Sequence, residues 1–222
     1  MKEAITISHA GGVGDGLMFS SVIKEKYCNE FERVYLQVPR LNWLFKKLYN
    51  DTTNVKLEPC PYSNAPHKSI AFKDGVEHSS WRKLTWKRDL HEESRLYREI
   101  VSEYGEDYII LHERPKDNMN RKMINIDRKY FENQNLPVVN LDGRKGHILD
   151  YVNVLQRAKE IHVYEGSFMN LADSITDGSV PLYGHLYCKP HYFDEKMVHH
   201  QIIENIRQNK WHKNNWNYIW KK

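Results

Sequence analysis

The sequence predicts an α/β protein built on parallel sheets, and three observations lead there. Short runs rich in β-branched and aromatic residues alternate with segments of helical periodicity along most of the 222 residues. Two of these runs, residues 4–8 and 107–112, each begin a series of alternating elements. Each also leads, directly or later in its series, into loops of special composition. Strands alternating with helices imply parallel sheets, and ligands in such folds gather beyond the carboxyl ends of the strands. The expected architecture is two small Rossmann-like halves facing a central cleft, with C-terminal helices: a first domain over 1–105, a second over 106–192, and helices over 193–222 packing back on the first domain.

Residues 4–8 read as the first strand, and the stretch AGGVGDGLMFSSVI over 10–23 follows it. Four glycines in six residues make a tight turn, and Met18, Phe19, Val22, Ile23 and Tyr27 then recur on one helical face. Residues 33–38 form a second strand that Pro39 stops, and Leu41, Leu44, Phe45 and Leu48 mark a second helix. Residues 54–57 and 69–72 are short strands on either side of a Pro-rich loop at 59–66. Residues 90–104 carry the clearest helical signal, with acids in the first turn and Gly105 as the stop.

The second series opens with the apolar strand at 107–112, followed by a polar, basic loop over 113–122. Strands are expected at 123–126, 137–141, 160–164 and 179–183, and helices at 148–158 and 168–175. From residue 194 onward the periodicity is helical. Val198, Ile202, Ile203 and Ile206 form one stripe, and Trp216, Ile219 and Trp220 form another.

Three loops carry candidate chemistry. In the first, Gly12 and Gly14 leave backbone N–H groups open at a positive helix end, and Asp15 stands where the chain turns into the helix. Asp15 suits two roles, a general base facing the crevice or a helix cap. A nucleotide-triphosphate loop is excluded because no Gly-Lys-Ser/Thr follows, and the glycine spacing departs from the dinucleotide fingerprint. The second loop, His112-Glu113-Arg114-Pro115-Lys116-Asp117, supplies Arg114 for a bidentate phosphate grip or a surface ion pair. Arg121 extends that cationic set, although Arg121 and Lys122 equally suit solvated loop positions. In the third, Glu165, Gly166, Ser167 and Phe168 join a strand to a helix. Free N–H groups there suit a pyrophosphate, and Glu165 suits either a sugar hydroxyl or the helix dipole. Cations on a leaving diphosphate and a carboxylate base on an acceptor hydroxyl are the parts that sugar transfer from a nucleotide needs.

These segments resemble a family. GGVGDGLMFSSVI looks like the opening loop and helix of two-domain glycosyltransferases of the GT-B fold, especially the bacterial heptosyltransferase-like group. VYEGSFMNLADSI is similar to that group's donor-binding motif, and HERPKD resembles the HxRxxD pattern of fucosyltransferases. The resemblance implies Asp15 as catalytic base, Arg114 on the donor phosphate, and Glu165, Gly166 and Ser167 at the donor diphosphate. It covers three short segments. The chain is shorter than the usual two-domain enzyme, Glu165 replaces the commoner Asp, and Gly166-Ser167 reverses the usual order.

The reading that follows is an inverting, metal-independent glycosyltransferase needing no cofactor beyond a nucleotide-sugar donor, with a glycan or other hydroxyl acceptor. One alternative is a non-catalytic nucleotide-sugar or glycan-binding protein. The other is a nucleic-acid or membrane-surface module using the basic-aromatic clusters at 81–88 and 210–222. A net charge of +4 suits a phosphate-bearing ligand without indicating nucleic acid, while peripheral membrane contact stays open. With 40% hydrophobic and 28% charged residues and a mean hydropathy of −0.75, the chain reads as soluble. No apolar run approaches the roughly 18–20 residues of a membrane span. The absence of a signal segment makes the cytoplasm the expected compartment, and Cys28, Cys60 and Cys188 are too widely spaced for a disulfide framework. His185, Cys188 and His191 lack a clear fourth ligand, so no structural zinc is expected.

Overall fold

The computed structural model describes residues 2–9, 12–37, 42–57, 67–70, 84–113, 124–132, 134–188 and 214–220. The chain divides into two compact units, Met1–Arg88 and Asp89–Lys222.

In the first unit, β1 (Lys2–His9) leads into α1 (Val13–Val22), which continues through a π-helical stretch, Ile23–Tyr27, into the short α2 (Cys28–Glu30). β2 (Phe31–Gln37), α3 (Asn42–Leu48), β3 (Val55–Leu57) and β4 (His67–Ile70) follow. All strand pairs are parallel, in the order β3-β2-β1-β4. The chain winds outward from β1 through β2 to β3, then returns to place β4 on the other side of β1. The strand order therefore reverses at β1, and the turn holding Gly12 follows that strand's carboxyl end. Ile7, Leu17, Phe19, Ile23, Val34, Leu36, Leu44, Phe45 and Leu48 are among the fully buried core residues. The expected strand at 69–72 sits two residues earlier, at His67–Ile70, and residues 71 and 72 lie outside the described residues.

The second unit begins with α4 (Leu90–Tyr104). Its N-cap Asp89 accepts the Glu92 N–H at 3.2 Å, and Gly105 (φ 86°) ends it in a backbone region that favours glycine. The sequence boundary at 105 grouped this helix with the first half, whereas it packs against α5 and β6 of the second unit. β5 (Ile109–His112), β6 (Val138–Asn140), α5 (Val152–Gln156), β7 (Glu160–Val163), α6 (Ser167–Ile175), β8 (Leu182–His185) and β9 (Trp216–Ile219) complete it. The five strands are parallel in the order β6-β5-β7-β8-β9, so the winding reverses between β5 and β7.

Three expectations are corrected here. Trp216 and Ile219 belong to a strand and not to a helix, because β9 pairs with β8 and Trp216 Nε1 donates to Asp173 Oδ1 at 3.0 Å. Residues 124–126 form no strand. Ile124 N–H goes to the Cys188 carbonyl at 3.1 Å, and Ile126 N–H goes to the Glu113 carboxylate at 2.8 Å. The helix expected over 148–158 is a 3₁₀ turn, Ile148–Tyr151, that tightens into α5. The helical stripe at 198–206 lies outside the described residues. Among the described residues no helix is long and apolar enough to cross a membrane.

Candidate functional site

Asp15 is the third residue of α1. Its Oδ2 accepts the Gly12 N–H at 2.7 Å, and Gly16 N–H bonds back to the Gly12 carbonyl at 3.0 Å. Gly12 itself is therefore the N-cap, and Asp15 closes the turn from inside the helix. Of the two roles open in the sequence, the capping one is visibly occupied by one carboxylate oxygen. Gly14 sits in the same first turn, whose N–H groups have no intrahelical acceptor.

In the second unit, the third candidate loop lies at the reversal point of the sheet. β7 ends at Val163, Tyr164 N–H reaches the His112 carbonyl at 3.4 Å, and Gly166 caps α6. Glu165 and Ser167 are half-buried at this turn. Phe168 is not laid out for contact through its ring. The ring is buried, 4.1 Å from the His112 ring centroid and edge-on to Tyr151 at 5.7 Å. Its part in any anion site is its backbone N–H in the first turn of α6.

His112, at the end of β5, packs its ring between Tyr164 (5.4 Å) and Phe168. Burial pushes its pKa down to about 3, so the imidazole is neutral near pH 7. Its Nδ1 is buried with no hydrogen-bond partner, and its Nε2 is 3.5 Å from Asp142 Oδ1. Burial raises the Asp142 carboxyl to about 6. Asp142 Oδ2 accepts the Glu113 N–H at 2.9 Å, and its own N–H donates to Asn140 Oδ1 at 2.9 Å. Glu113 is buried, with its carboxylate taking the Ile126 N–H and the Arg128 guanidinium. The carboxyl ends of β5, β6 and β7 thus gather a neutral histidine, two carboxylates and an open helix end.

Sequence reasoning brought Glu165, Gly166 and Ser167 to this place and missed Asp142, Asn140 and the buried role of Glu113. The available signal was Asp142-Gly143 directly after a strand, a turn signature at a carboxyl end. Arg114, Asp117, Arg121 and Lys122 lie outside the described residues. Among the described residues, no group of three or more His, Cys, Asp or Glu is arranged to hold a metal ion. Of the three residues weighed for zinc, His185 bonds His162, Cys188 is buried, and His191 is outside the described residues.

No protein-family model matches the sequence, and no curated protein matches it. Among solved structures, the chain is similar to the iron-containing dodecameric glycosyltransferase TibC from enterotoxigenic E. coli, at a TM-score of 0.50 and 12% identity. The match covers 83% of this chain and 61% of that one. The likeness is one of fold: this chain has a glycosyltransferase-like α/β fold with parallel sheets.

Proposed function

We propose that this chain transfers a sugar from a nucleoside-diphosphate sugar to an acceptor hydroxyl, with inversion and without a metal. The observation that carries the reading is the turn between β7 and α6. An open helix end follows the strand where the sheet's winding reverses, beside the half-buried pair His112 and Asp142. In this reading the N–H groups of Ser167 and Phe168, with Gly166 keeping the turn close, hold the donor diphosphate. Arg114 and Arg121 neutralise the charge that grows on it as the glycosidic bond breaks. Glu165 accepts a hydrogen bond from a ribose or sugar hydroxyl. Asp15 takes the proton of the acceptor hydroxyl, while Gly12 and Gly14 let that substrate approach the backbone. The glycosyltransferase-like fold supports the choice of reaction class. Cys28 and Cys188 are free thiols, which suits a cytoplasmic setting.

One observation favours a second reading, binding without transfer: Asp15 already spends Oδ2 on the Gly12 N–H. The two readings part in one experiment. UDP, GDP, ADP, TDP and CMP are tested for thermal stabilisation of the wild type and of Arg114→Ala, and the stabilising nucleotide's sugar is then offered with Asp15→Asn. The transfer reading expects one diphosphate to stabilise the wild type, with the effect lost in Arg114→Ala. It also expects turnover to fall by about 10²–10⁴-fold in Asp15→Asn with binding retained. Nucleotide binding with no turnover in the wild type would select the second reading. No stabilisation by any nucleotide would remove both.

A further inference from the structure

At the opposite, amino end of β7, about 13 Å along the strand from Tyr164, lies a cavity of about 540 Å³. Its walls include Tyr130, Gln134, Glu160, His162, Tyr183 and Asn217, all in the second unit. The volume falls within the range of small-molecule sites, roughly 300–1,000 Å³. Neither the transfer chemistry nor any candidate residue considered so far uses this cavity.

A hydrogen-bond chain fixes its floor. Glu160 Oε2 accepts from Gln134 Nε2 and pairs with His162 Nε2, each at 3.0 Å, and His162 Nδ1 lies 3.0 Å from His185 Nε2. A carboxylate only accepts, so His162 donates from Nε2. Its Nδ1 must then accept from His185 Nε2, leaving His185 Nδ1 an acceptor with no partner. His162 is locked in this tautomer between Tyr183, stacked at 4.3 Å, and Phe131, edge-on at 4.8 Å. Burial lowers the pKa of both imidazoles, with His185 at about 3. Both rings are neutral near pH 7, so both donors that hold the Glu160 carboxylate carry no charge. No Lys or Arg is among the described residues lining the cavity. Lys129 lies 5.3 Å over the Tyr130 ring and is paired with Asp127 at 3.6 Å, and Lys159 is paired with Asp107 at 2.9 Å. In a chain of net charge +4, this is a pre-aligned carboxylate with no Lys or Arg partner among the described residues. It lines an aromatic-walled cavity, and among the described residues its Oε1 makes no hydrogen bond.

We propose that the cavity between Tyr183 and Glu160 binds a small organic cation, an ammonium group whose charge meets the Glu160 carboxylate and whose alkyl surface rests on the tyrosine wall. Both contacts are independent of the glycosyl-transfer reading. A neutral polyol would use the same acceptors but would lack the attraction between full charges and the cation's contact with the ring face.

The probes are choline, its uncharged carbon isostere 3,3-dimethyl-1-butanol, and methyl glucoside. Binding to the full chain is read by saturation-transfer NMR and thermal shift. Choline should bind and its isostere should not. Glu160→Gln, which keeps the shape and an acceptor, should weaken choline by about tenfold or more. Tyr183→Leu leaves the carboxylate in place and should also weaken choline, so the proposal stays testable if Glu160→Gln does not fold. Equal binding of choline and its isostere, preference for methyl glucoside, or choline binding untouched by both substitutions would each overturn it, as would no binding at all.

Discussion

At Gly12 a methyl group would stand 3.9 Å from its nearest neighbour, Asp15 Oδ2, whereas at Gly166 it would stand 2.9 Å from the Tyr164 ring. Both glycines cap a helix that follows the central strand region of a parallel sheet, and both sit in glycine-containing motifs that look alike in sequence. Among the described residues, the first has room around it and the second has none. The room at Gly12 is what an approaching ligand would use. The lack of it at Gly166 is a packing constraint, set by Tyr164 lying against His112. A glycine motif therefore does not say whether its glycines serve the fold or a ligand; the neighbours decide that.

The units differ most in how they carry titratable groups, and the largest expected effect follows from that. Among the described residues of the first unit, burial acts on alkaline groups and raises them. Burial raises the Cys28 thiol to about 11 and pushes Tyr49 up as well. The second unit buries neutral imidazoles at His112, His162 and His185. A base held below its ordinary pKa of about 6.5 stabilises the fold above that pH, and the contribution is lost as pH falls toward the folded value. For His112 and His185 at pH 4 the loss is about 3 kcal/mol each. Asp142 works the other way. Its carboxyl is raised to about 6, so it penalises the fold above that pH, and the penalty of about 3 kcal/mol is relieved as the group protonates. The net expectation is a loss of a few kcal/mol between pH 7 and pH 4, confined to the second unit. Hydrogen exchange, corrected for intrinsic rates, should show protection falling in β5, β7 and β8 while β1 and β2 hold. An equal loss in β1 and β2 would break the contrast.

Next in size is Gly166→Ala. Tyr164 is buried and stacked on His112, so its ring has little freedom to retreat from a new Cβ. Overpacking of this kind costs about 1–3 kcal/mol. The measurement is the urea midpoint, and an unchanged midpoint would mean that Tyr164 moves aside. The substitution also tests the donor site of the proposed function, because Gly166 is the N-cap of α6.

Elements whose ends are chemically marked were legible in the sequence. α4 announces itself through Asp89 and the acids after it, and stops at a glycine with φ 86°. The β7–α6 turn was legible for the same reason: an apolar strand, a glycine and an amphipathic run are all local signals. β9 was not. Trp216, Ile219 and Trp220 recur at helical spacing, yet Asn214 N–H and Trp216 Nε1 both donate to Asp173 Oδ1, at 2.9 and 3.0 Å. Those partners are some forty residues away in sequence, and they outweigh a local period. The carboxylates of the site show the same limit. Glu113 reads as part of a polar loop and Asp142 carries no signal of its own, because backbone N–H groups, of Ile126 and Glu113, are among what binds them, beside the Arg128 guanidinium on Glu113. A backbone donor leaves no mark on the sequence.

The smallest effect is expected at Gly12→Ala, and it tests the reading of the first turn most directly. Gly12 has φ −89°, which any residue adopts, and the new methyl would make an ordinary van der Waals contact. Alanine is a poorer cap than glycine, but it also removes disorder from the unfolded chain, and the two effects are each well under about 1 kcal/mol and opposed. Stability should therefore stay within about 0.5 kcal/mol of the wild type, read by the same urea titration. Under the proposed function the added methyl occupies the space through which a substrate would reach the backbone beside Asp15. Turnover should then fall while stability holds. A loss of stability above about 1 kcal/mol would show that this glycine, like Gly166, is there for the fold. Unchanged stability with unchanged turnover would leave the open space at Gly12 without a ligand to explain it.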